Sequence, residues 1–170
     1  LMDEDGRVRV RLNAGGNDTE FQLWGHDMTT NITVRVKKDG ATAISFTDGK
    51  KHDRVVIGAT GDGWSGLAFA DKDGKQRAAL GNDKDGSPAL SMNYANGKLG
   101  GLMSVSDKDA VLVMNDPKQE TLAAFGNSGG RPSMLLIDAK GNERVKLLLK
   151  EDSSPALVLR DDKGRSRMVA

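Results

Sequence analysis

With 170 residues the chain is long enough for one domain, but aromatic residues make up 4 % of it and glycines number 21, which excludes a core built around large side chains. Its 25 lysines and arginines are interspersed with 24 aspartates and glutamates, so no basic excess marks a nucleic-acid-binding protein. The absence of cysteine excludes disulfides, thiolate metal sites and cysteine nucleophiles. No apolar run approaches the roughly 18 residues of a membrane-spanning helix.

A repeat runs along the chain, and its spacing is the strongest signal in the sequence. Leucines recur every 22 or 23 residues, and the same step backward reaches Ser45 beside Phe46, then Leu23 and Leu1. Prolines close several units in the same register. The residues that carry this spacing are Leu67, Leu90, Leu112, Leu135 and Leu157, with Pro88, Pro132 and Pro155.

Each unit reads as two short strands joined by a turn. Alternating apolar residues such as Leu67 and Phe69 predict a first strand, because side chains of a strand point to opposite faces in turn. Asp-Gly and Asn-Gly pairs, as at Asp73-Gly74, then predict type I′ hairpin turns. A second strand follows, as at 77–80 and 144–149. No segment has the pattern of a capped amphipathic helix. The sequence therefore predicts an all-β array of seven to eight units over 1–170.

The hairpins need neighbours, because an isolated two-stranded hairpin is marginally stable in water. Stacking hairpins gives a β-solenoid or a fibre-like array. In the last third of the chain both faces of the first strand are apolar, at 111–114, 134–137 and 156–159. Strands of this kind need cover on both sides. We therefore expect a homo-oligomer, with a trimer or filament favoured.

In these short units and their Asp-x-x-Gly-x-x-Arg punctuation, as at 71–77, the chain resembles the trimeric β-fibre shafts of viruses and phages, namely triple β-spirals and triple-stranded β-helices. It also resembles repetitive bacterial proteins with units of this pattern. The resemblance implies a structural shaft protein at an extracellular location or the cell surface. The chain begins and stops within units, which predicts a part of a longer array or an assembling subunit. The alternative fold is a four-bladed β-propeller, in which two units supply the four strands of a blade.

Four arginines recur three residues after a turn glycine and six residues after an aspartate. We expect each to pair with that aspartate across the hairpin. Exposed ion pairs contribute only about 0–1 kcal/mol, so their regularity predicts a role in fixing register between chains. The arginines are Arg9, Arg77, Arg144 and Arg167, and their aspartates are Asp3, Asp71, Asp138 and Asp161.

The acidic runs at 3–6, 71–74 and 83–86 resemble half of a calcium-binding loop, but they lack the earlier ligand and the later glutamate of an EF-hand. Turn chemistry explains them, and the sequence predicts no metal and no cofactor. His26 and His52 lie in polar segments without a nucleophile elbow nearby. We therefore predict surface histidines and no enzymatic activity.

Trp24, Trp64 and Tyr94 are the only large amphipathic aromatic residues. Exposed tryptophans on a β-scaffold bind sugars or anchor protein partners, whereas half-buried ones fill an irregular repeat. The second candidate function is thus a binding module that recognises a glycan or a cell-surface protein through the loops bearing Trp24 and Trp64. The glycine pairs 100–101 and 129–130 are expected to permit close approach of chains around an axis.

Overall fold

The computed structural model describes residues 1–16, 18–118 and 120–169. These residues form fifteen β-strands, and every strand pairing is antiparallel. The described ranges contain no helix, and so none that could cross a membrane. The prediction of an all-β repeat is confirmed. The chain divides into two compact units, unit 1 (Leu1–Gly86) and unit 2 (Ser87–Ala170). The expectation of one array of seven to eight units stays a prediction.

Unit 1 is a meander in which each strand pairs with the next one along the chain. Seven strands follow one another without a break, so the sheet does not divide into the four-stranded blades of a β-propeller. The propeller alternative is therefore wrong. The strands are β1 (Val10–Gly15), β2 (Asp18–Trp24), β3 (Asn31–Lys37), β4 (Thr42–Thr47), β5 (Asp53–Ala59), β6 (Ser65–Ala70) and β7 (Gln76–Asn82).

Unit 2 repeats this architecture with eight strands. Bulges interrupt several of its ladders, among them the one after Met114 in β10, and each bulge displaces the following register by one residue. The strands are β8 (Pro88–Asn93), β9 (Leu99–Val105), β10 (Ala110–Asn115), β11 (Thr121–Ser128), β12 (Arg131–Ile137), β13 (Glu143–Leu149), β14 (Pro155–Arg160) and β15 (Ser166–Val169).

Turns headed by an aspartate, which we call the Asp turns, recur in both units. In the turn 71–75, the Asp71 N–H donates to the Lys75 carbonyl at 2.9 Å, and Gly74 has a φ of 76°. Only the last of the three loop residues has positive φ, whereas a type I′ turn needs two. The expected type I′ turn at Asp73-Gly74 is therefore wrong, and a three-residue loop replaces it. We keep this name for the five turns with an arginine six residues after the aspartate, which are 3–7, 48–52, 71–75, 138–142 and 161–165. The Asp116 N–H also donates to the Glu120 carbonyl, at 2.8 Å, but Leu122 stands where the arginine would be.

The glycine pair 129–130 forms a different turn. Both residues have positive φ, 58° and 79°, as a type I′ turn requires, and a methyl group built on either meets nothing within 4 Å. Glycine is thus needed there for backbone conformation, and the expectation that this pair permits close approach of chains around an axis stays a prediction. Gly100 does lie against a neighbour, because a methyl group built on it would be 3.0 Å from the Tyr94 ring.

The sheet of each unit is a single layer. Ala156, 3 % exposed, is the one buried hydrophobic residue in the described chain, and no large side chain there is fully buried. Residues that face each other across a ladder share a face of the sheet, so the registers sort the side chains of each unit into two faces. We call the face that carries the exposed large apolar residues face 1, and the opposite one face 2.

Candidate interaction surfaces

Face 1 is an uncovered apolar surface in both units. In unit 1 it continues from Leu12 in β1, which is 72 % exposed, to Leu80 in β7. In unit 2 its most exposed residue is Phe125 of β11, at 60 %. The exposed residues of face 1 are Leu12, Phe21, Leu23, Ile32, Val34, Val36, Ile44, Phe46, Ile57, Phe69 and Leu80 in unit 1, and Leu90, Met92, Met103, Val105, Leu112, Met114, Phe125, Met134, Leu136, Leu147, Leu149 and Met168 in unit 2.

The size of face 1 matches a protein–protein interface. With roughly 80 Å² left to solvent on each of these side chains, either unit offers about 900 Å² of apolar surface, against about 800 Å² per partner in a standard interface. Soluble monomers rarely leave contiguous apolar patches larger than a few hundred Å² uncovered. Face 1 therefore has the properties of a surface that another molecule covers.

Face 2 of unit 1 is polar at its N-terminal side. Arg35 on β3 donates from Nε to Glu20 Oε1 on β2 at 2.5 Å, and these two residues are directly opposite in the ladder. Thr33, 5 % exposed, donates its hydroxyl to Asn31 Oδ1 at 3.1 Å. The polar side chains on this part of the face thus form hydrogen bonds with one another and need no partner from outside the sheet.

Further along unit 1, face 2 carries a row of small residues, in which Ala43, Gly58, Gly66 and Gly81 face one another across β4 to β7. A methyl group built on Gly81 would overlap the Ser65 carbonyl oxygen and lie 2.9 Å from Gly66 Cα. The backbones thus approach closely on this face. Only glycine fits at such a position.

Face 2 of unit 2 is mainly aliphatic, in contrast to that of unit 1, although Lys146 lies on it between Leu135 and Val158. Val113 lies opposite Leu102 on one side and Ala124 on the other, and Leu148 lies opposite Ala156. Apart from the buried Ala156, these side chains are half-buried rather than covered. The apolar pattern at 111–114 and 156–159 therefore places apolar residues on both faces, as the sequence indicated.

Face 2 of unit 1 carries a hollow of about 220 Å³, which we call the Trp64 hollow. Ala43 and Gly58 of the small-residue row line it, together with Arg35 and Trp64. Trp64 closes the turn 60–64, in which the Thr60 N–H donates to the Trp64 carbonyl at 2.8 Å and the Trp64 N–H donates to Thr60 Oγ1 at 3.1 Å. The turn thus fixes the backbone that carries the indole.

The two predicted tryptophans lie apart within unit 1. Trp24 is the last residue of β2 and lies at the end of the strands where the Asp turns are found. Trp64 lies at the opposite end of the strands of unit 1. Tyr94, in unit 2, occupies the place of the aspartate in a turn of the same shape, since its N–H donates to the Lys98 carbonyl at 2.8 Å. Its hydroxyl donates to the Asn115 carbonyl at 2.9 Å. Tyr94 therefore supports the fold, and only Trp64 lines the hollow.

The Asp turns explain the recurring arginines. In each, one carboxylate oxygen accepts backbone N–H groups and the other faces the arginine six residues on, as with Asp138 Oδ2 and Arg144 Nε at 2.7 Å. The expected pairing within the hairpin is confirmed for all four arginines. The distances are 3.7 Å for Arg9–Asp3, 3.5 Å for Arg77–Asp71, 2.5 Å for Arg144–Asp138 and 2.6 Å for Arg167–Asp161. Their role between chains stays a prediction.

Sequence reasoning missed a fifth pair. Arg54 Nη1 lies 3.3 Å from Asp48 Oδ2, in a turn whose left-handed residue is Lys51, with a φ of 65°. The pair Asp48-Gly49 predicts a turn here, but its glycine precedes the left-handed position by two residues, so Arg54 does not lie three residues after a turn glycine. The six-residue interval from Asp48 to Arg54 was the signal that could have found it.

Two of these arginines also form a hydrogen bond with the backbone at the next Asp turn along the same unit. Arg54 Nε donates to the Ala70 carbonyl at 3.0 Å, next to the following Asp turn, and Arg144 Nη1 donates to the Asp161 carbonyl. His52 lies in the same row, with Nδ1 3.1 Å from the Lys72 carbonyl oxygen. The Asp turns therefore form a column of side chain–backbone contacts within each unit.

The electrostatics of the Asp turns follow from these bonds. The Asn142 N–H holds the pKa of Asp138 well below its ordinary 3.8, at about 2, with the Arg144 guanidinium acting in the same direction and partial burial opposing it. The pKa of Asp71 is lowered in the same way, first by the Asp73 N–H. The ionised carboxylate is thus part of the turn.

The remaining candidates are placed at the surface. His26 Nδ1 lies 3.5 Å from Arg7 Nη1, and Asp3 and Asp71 use their carboxylates for the turn N–H groups. Within residues 1–16, 18–118 and 120–169, no three histidine or acidic side chains are grouped as metal ligands would be. No protein-family model matches the chain, and no curated protein matches it in sequence.

Proposed function

We propose that the chain is a structural protein that associates with copies of itself into a fibre or filament, with no catalytic activity of its own. The observation that carries this proposal is face 1, a contiguous apolar surface in each unit that the described residues leave exposed to solvent. A second copy is the natural cover, because a repeat presents the same pattern of apolar rows and can match another copy row by row. The nearly balanced charge of the chain does not oppose self-association.

A trimer is the assembly that we favour. Three single-layer sheets that each turn one apolar face inward enclose a common core, which supplies what neither unit builds alone. The resemblance to trimeric viral and phage β-fibre shafts supports the same number, and with it a shaft role at an extracellular location or the cell surface. In this arrangement face 2 of unit 1, which combines polar side chains with a row of small residues, would remain in water.

The test uses two lysine substitutions at neighbouring positions on opposite faces. Ile44 lies on face 1 and Ser45 on face 2 of β4. Ile44→Lys should break rods seen by negative-stain electron microscopy into single chains, because it places a charge in the apolar contact. Ser45→Lys should leave the rods intact. Rods that survive Ile44→Lys, or a parent chain that shows only compact single particles, would refute the proposal.

A further inference from the structure

We propose that the Trp64 hollow on face 2 of unit 1 binds a sugar residue that carries a carboxylate, such as a hexuronic acid at the end of a glycan. This binding is additional to the structural role and does not depend on self-association. It concerns a polar face that the apolar contact of face 1 leaves open.

The size and shape of the hollow fit one sugar ring. Sites for drug-sized ligands occupy about 300–1,000 Å³, so a hollow of about 220 Å³ accommodates a single ring and no more. Its concavity depends on the small residues Ala43 and Gly58, which lie opposite each other in the ladder. Gly58 cannot be larger, because a methyl group there would overlap the Thr42 carbonyl oxygen. The backbone thus fixes the depth of the hollow.

The tryptophan supplies an apolar wall with a polar edge. An indole offers its face to the C–H groups of a sugar ring and its N–H to an oxygen acceptor. In the described chain the indole N–H of Trp64 has no hydrogen-bond partner, and the side chain is half-exposed. The Thr60–Trp64 turn, closed by two backbone bonds, holds this residue at the rim of the hollow. Trp64 is therefore available to a ligand.

The hydrogen-bond donors in the hollow suit an acidic sugar, while the charge of Arg35 is balanced by Glu20 just outside the lining. Arg35 and Lys37 contribute two cations to the lining, whereas Asp53 is the only carboxylate among the lining residues, and its Oδ1 accepts a bond from Thr47 Oγ1 at 2.7 Å. Arg35 uses Nε for Glu20, and its two terminal amino groups have no partner among the described residues. Unpartnered guanidinium N–H groups suit a carboxylate, which only accepts hydrogen bonds.

Unit 2 lacks this combination. Its face 2 has Val113 and Leu135 in the middle strands, with Gly126 as its close-approach glycine, and its turns carry no tryptophan. Two apolar hollows of unit 2, of about 370 and 300 Å³, lie beside Phe125. They belong to the surface that self-association covers. The sugar site is therefore a property of unit 1.

The test exploits the presence of only two tryptophans in the chain. In the variant Trp24→Phe, Trp64 is the sole source of tryptophan emission, so fluorescence reports on the hollow directly. Titration with methyl glucuronide should shift this emission with saturation in the millimolar range, and methyl glucoside should bind about tenfold more weakly. No response to the glucuronide up to about 50 mM, or equal binding of the two sugars, would overturn the proposal.

A matched pair of arginine substitutions adds a control in the same Trp24→Phe background. Arg35→Ala should weaken glucuronide binding about tenfold, because it removes the unpartnered donors. Arg11→Ala, on the same face but outside the lining, should leave the affinity unchanged. Melting followed by circular dichroism checks that both variants fold. If Arg35→Ala melts at a lower temperature, Arg35→Lys replaces it, and because this variant keeps a cation it should bind the glucuronide more tightly than Arg35→Ala does. Equal affinities in Arg35→Ala and Arg11→Ala would contradict the assignment.

Discussion

Units 1 and 2 share one apolar face and differ in the other. Face 1 is apolar and uncovered in both, but face 2 carries the bonded pair Glu20 and Arg35 in unit 1, where unit 2 has Leu102, Val113 and Leu148. The turns and the close-approach glycines are common to the two units. The repeat therefore dictates the hairpins and one apolar surface, while the chemistry of the second face is free to vary.

This difference has a physical consequence for each unit. A polar face in contact with water requires no partner, so unit 1 needs cover on one side only. In unit 2 the aliphatic side chains of face 2 are also only half-buried. Only part of their apolar area is therefore removed from water and contributes to the stability of the unit. We therefore infer that unit 2 depends more strongly on association than unit 1 does.

The largest effect should come from a charge on face 2 of unit 2. Val113→Lys should lower the stability of the assembled protein by about 2–3 kcal/mol, because it places an ammonium group among Leu102 and Ala124. The matched substitution in unit 1, Ser45→Lys, should cost less than about 0.5 kcal/mol. Denaturant unfolding measures both. Similar losses in the two variants would remove the distinction between the units.

The next largest loss of stability should come from the close-approach glycines, which the two units share. Gly81→Ala in unit 1 and Gly126→Ala in unit 2 should each cost about 2 kcal/mol, because each new methyl group overlaps a carbonyl oxygen of the neighbouring strand. Gly101→Ala should cost clearly less, since its nearest neighbour is the flexible tip of Met92 at 3.3 Å. Thermal unfolding compares the three. A loss in Gly101→Ala equal to the other two would contradict the close approach of backbones.

Acid should weaken both units through their Asp turns. A carboxyl whose pKa is lower in the folded chain than in the unfolded one adds stability that is complete above the unfolded value and is lost as the pH falls through the folded value. For Asp138 these values are 3.8 and about 2. We expect the melting temperature to fall between about pH 4 and pH 2, and to fall less steeply in Asp138→Asn. Parallel pH curves for the two proteins would refute the role of this carboxylate.

The smallest effect should come from the column of turns. Arg54→Ala should lower the melting temperature by about 1–3 °C without a change in the mass of the assembly, because its bonds to Asp48 and the Ala70 carbonyl lie within one chain. Arg11→Ala, a substitution on β1 outside the Asp turns, is the control. A lower mass for Arg54→Ala would instead assign the arginine to contacts between chains.

The sequence was sufficient for the parts of the fold that depend on local chemistry. Alternating residues located the strands, and the six-residue interval located four of the five Asp–Arg pairs. Spacing alone could not assign faces, because a bulge shifts register by one residue. Leu135 keeps the leucine interval yet lies on face 2, opposite Ala124, while its neighbours Met134 and Leu136 lie on face 1.

The candidate site could not be located from the sequence either, because it depends on the register of the strands. Trp64 was visible as a departure from the repeat, but the hollow beside it requires Ala43 and Gly58 to meet across the ladder and Arg35 to lie on the same face. These residues are separated by several turns in the chain. Only the pairing of strands, and not their individual patterns, places them together.

The solution mass of the unaltered chain tests the central claim most directly. Sedimentation equilibrium from about 1 to 100 μM should give a whole-number multiple of 18.1 kDa, three chains if the shaft is trimeric, since two uncovered apolar faces of this size favour association. A single mass of 18.1 kDa over the whole range would show that face 1 needs no partner and would contradict the account.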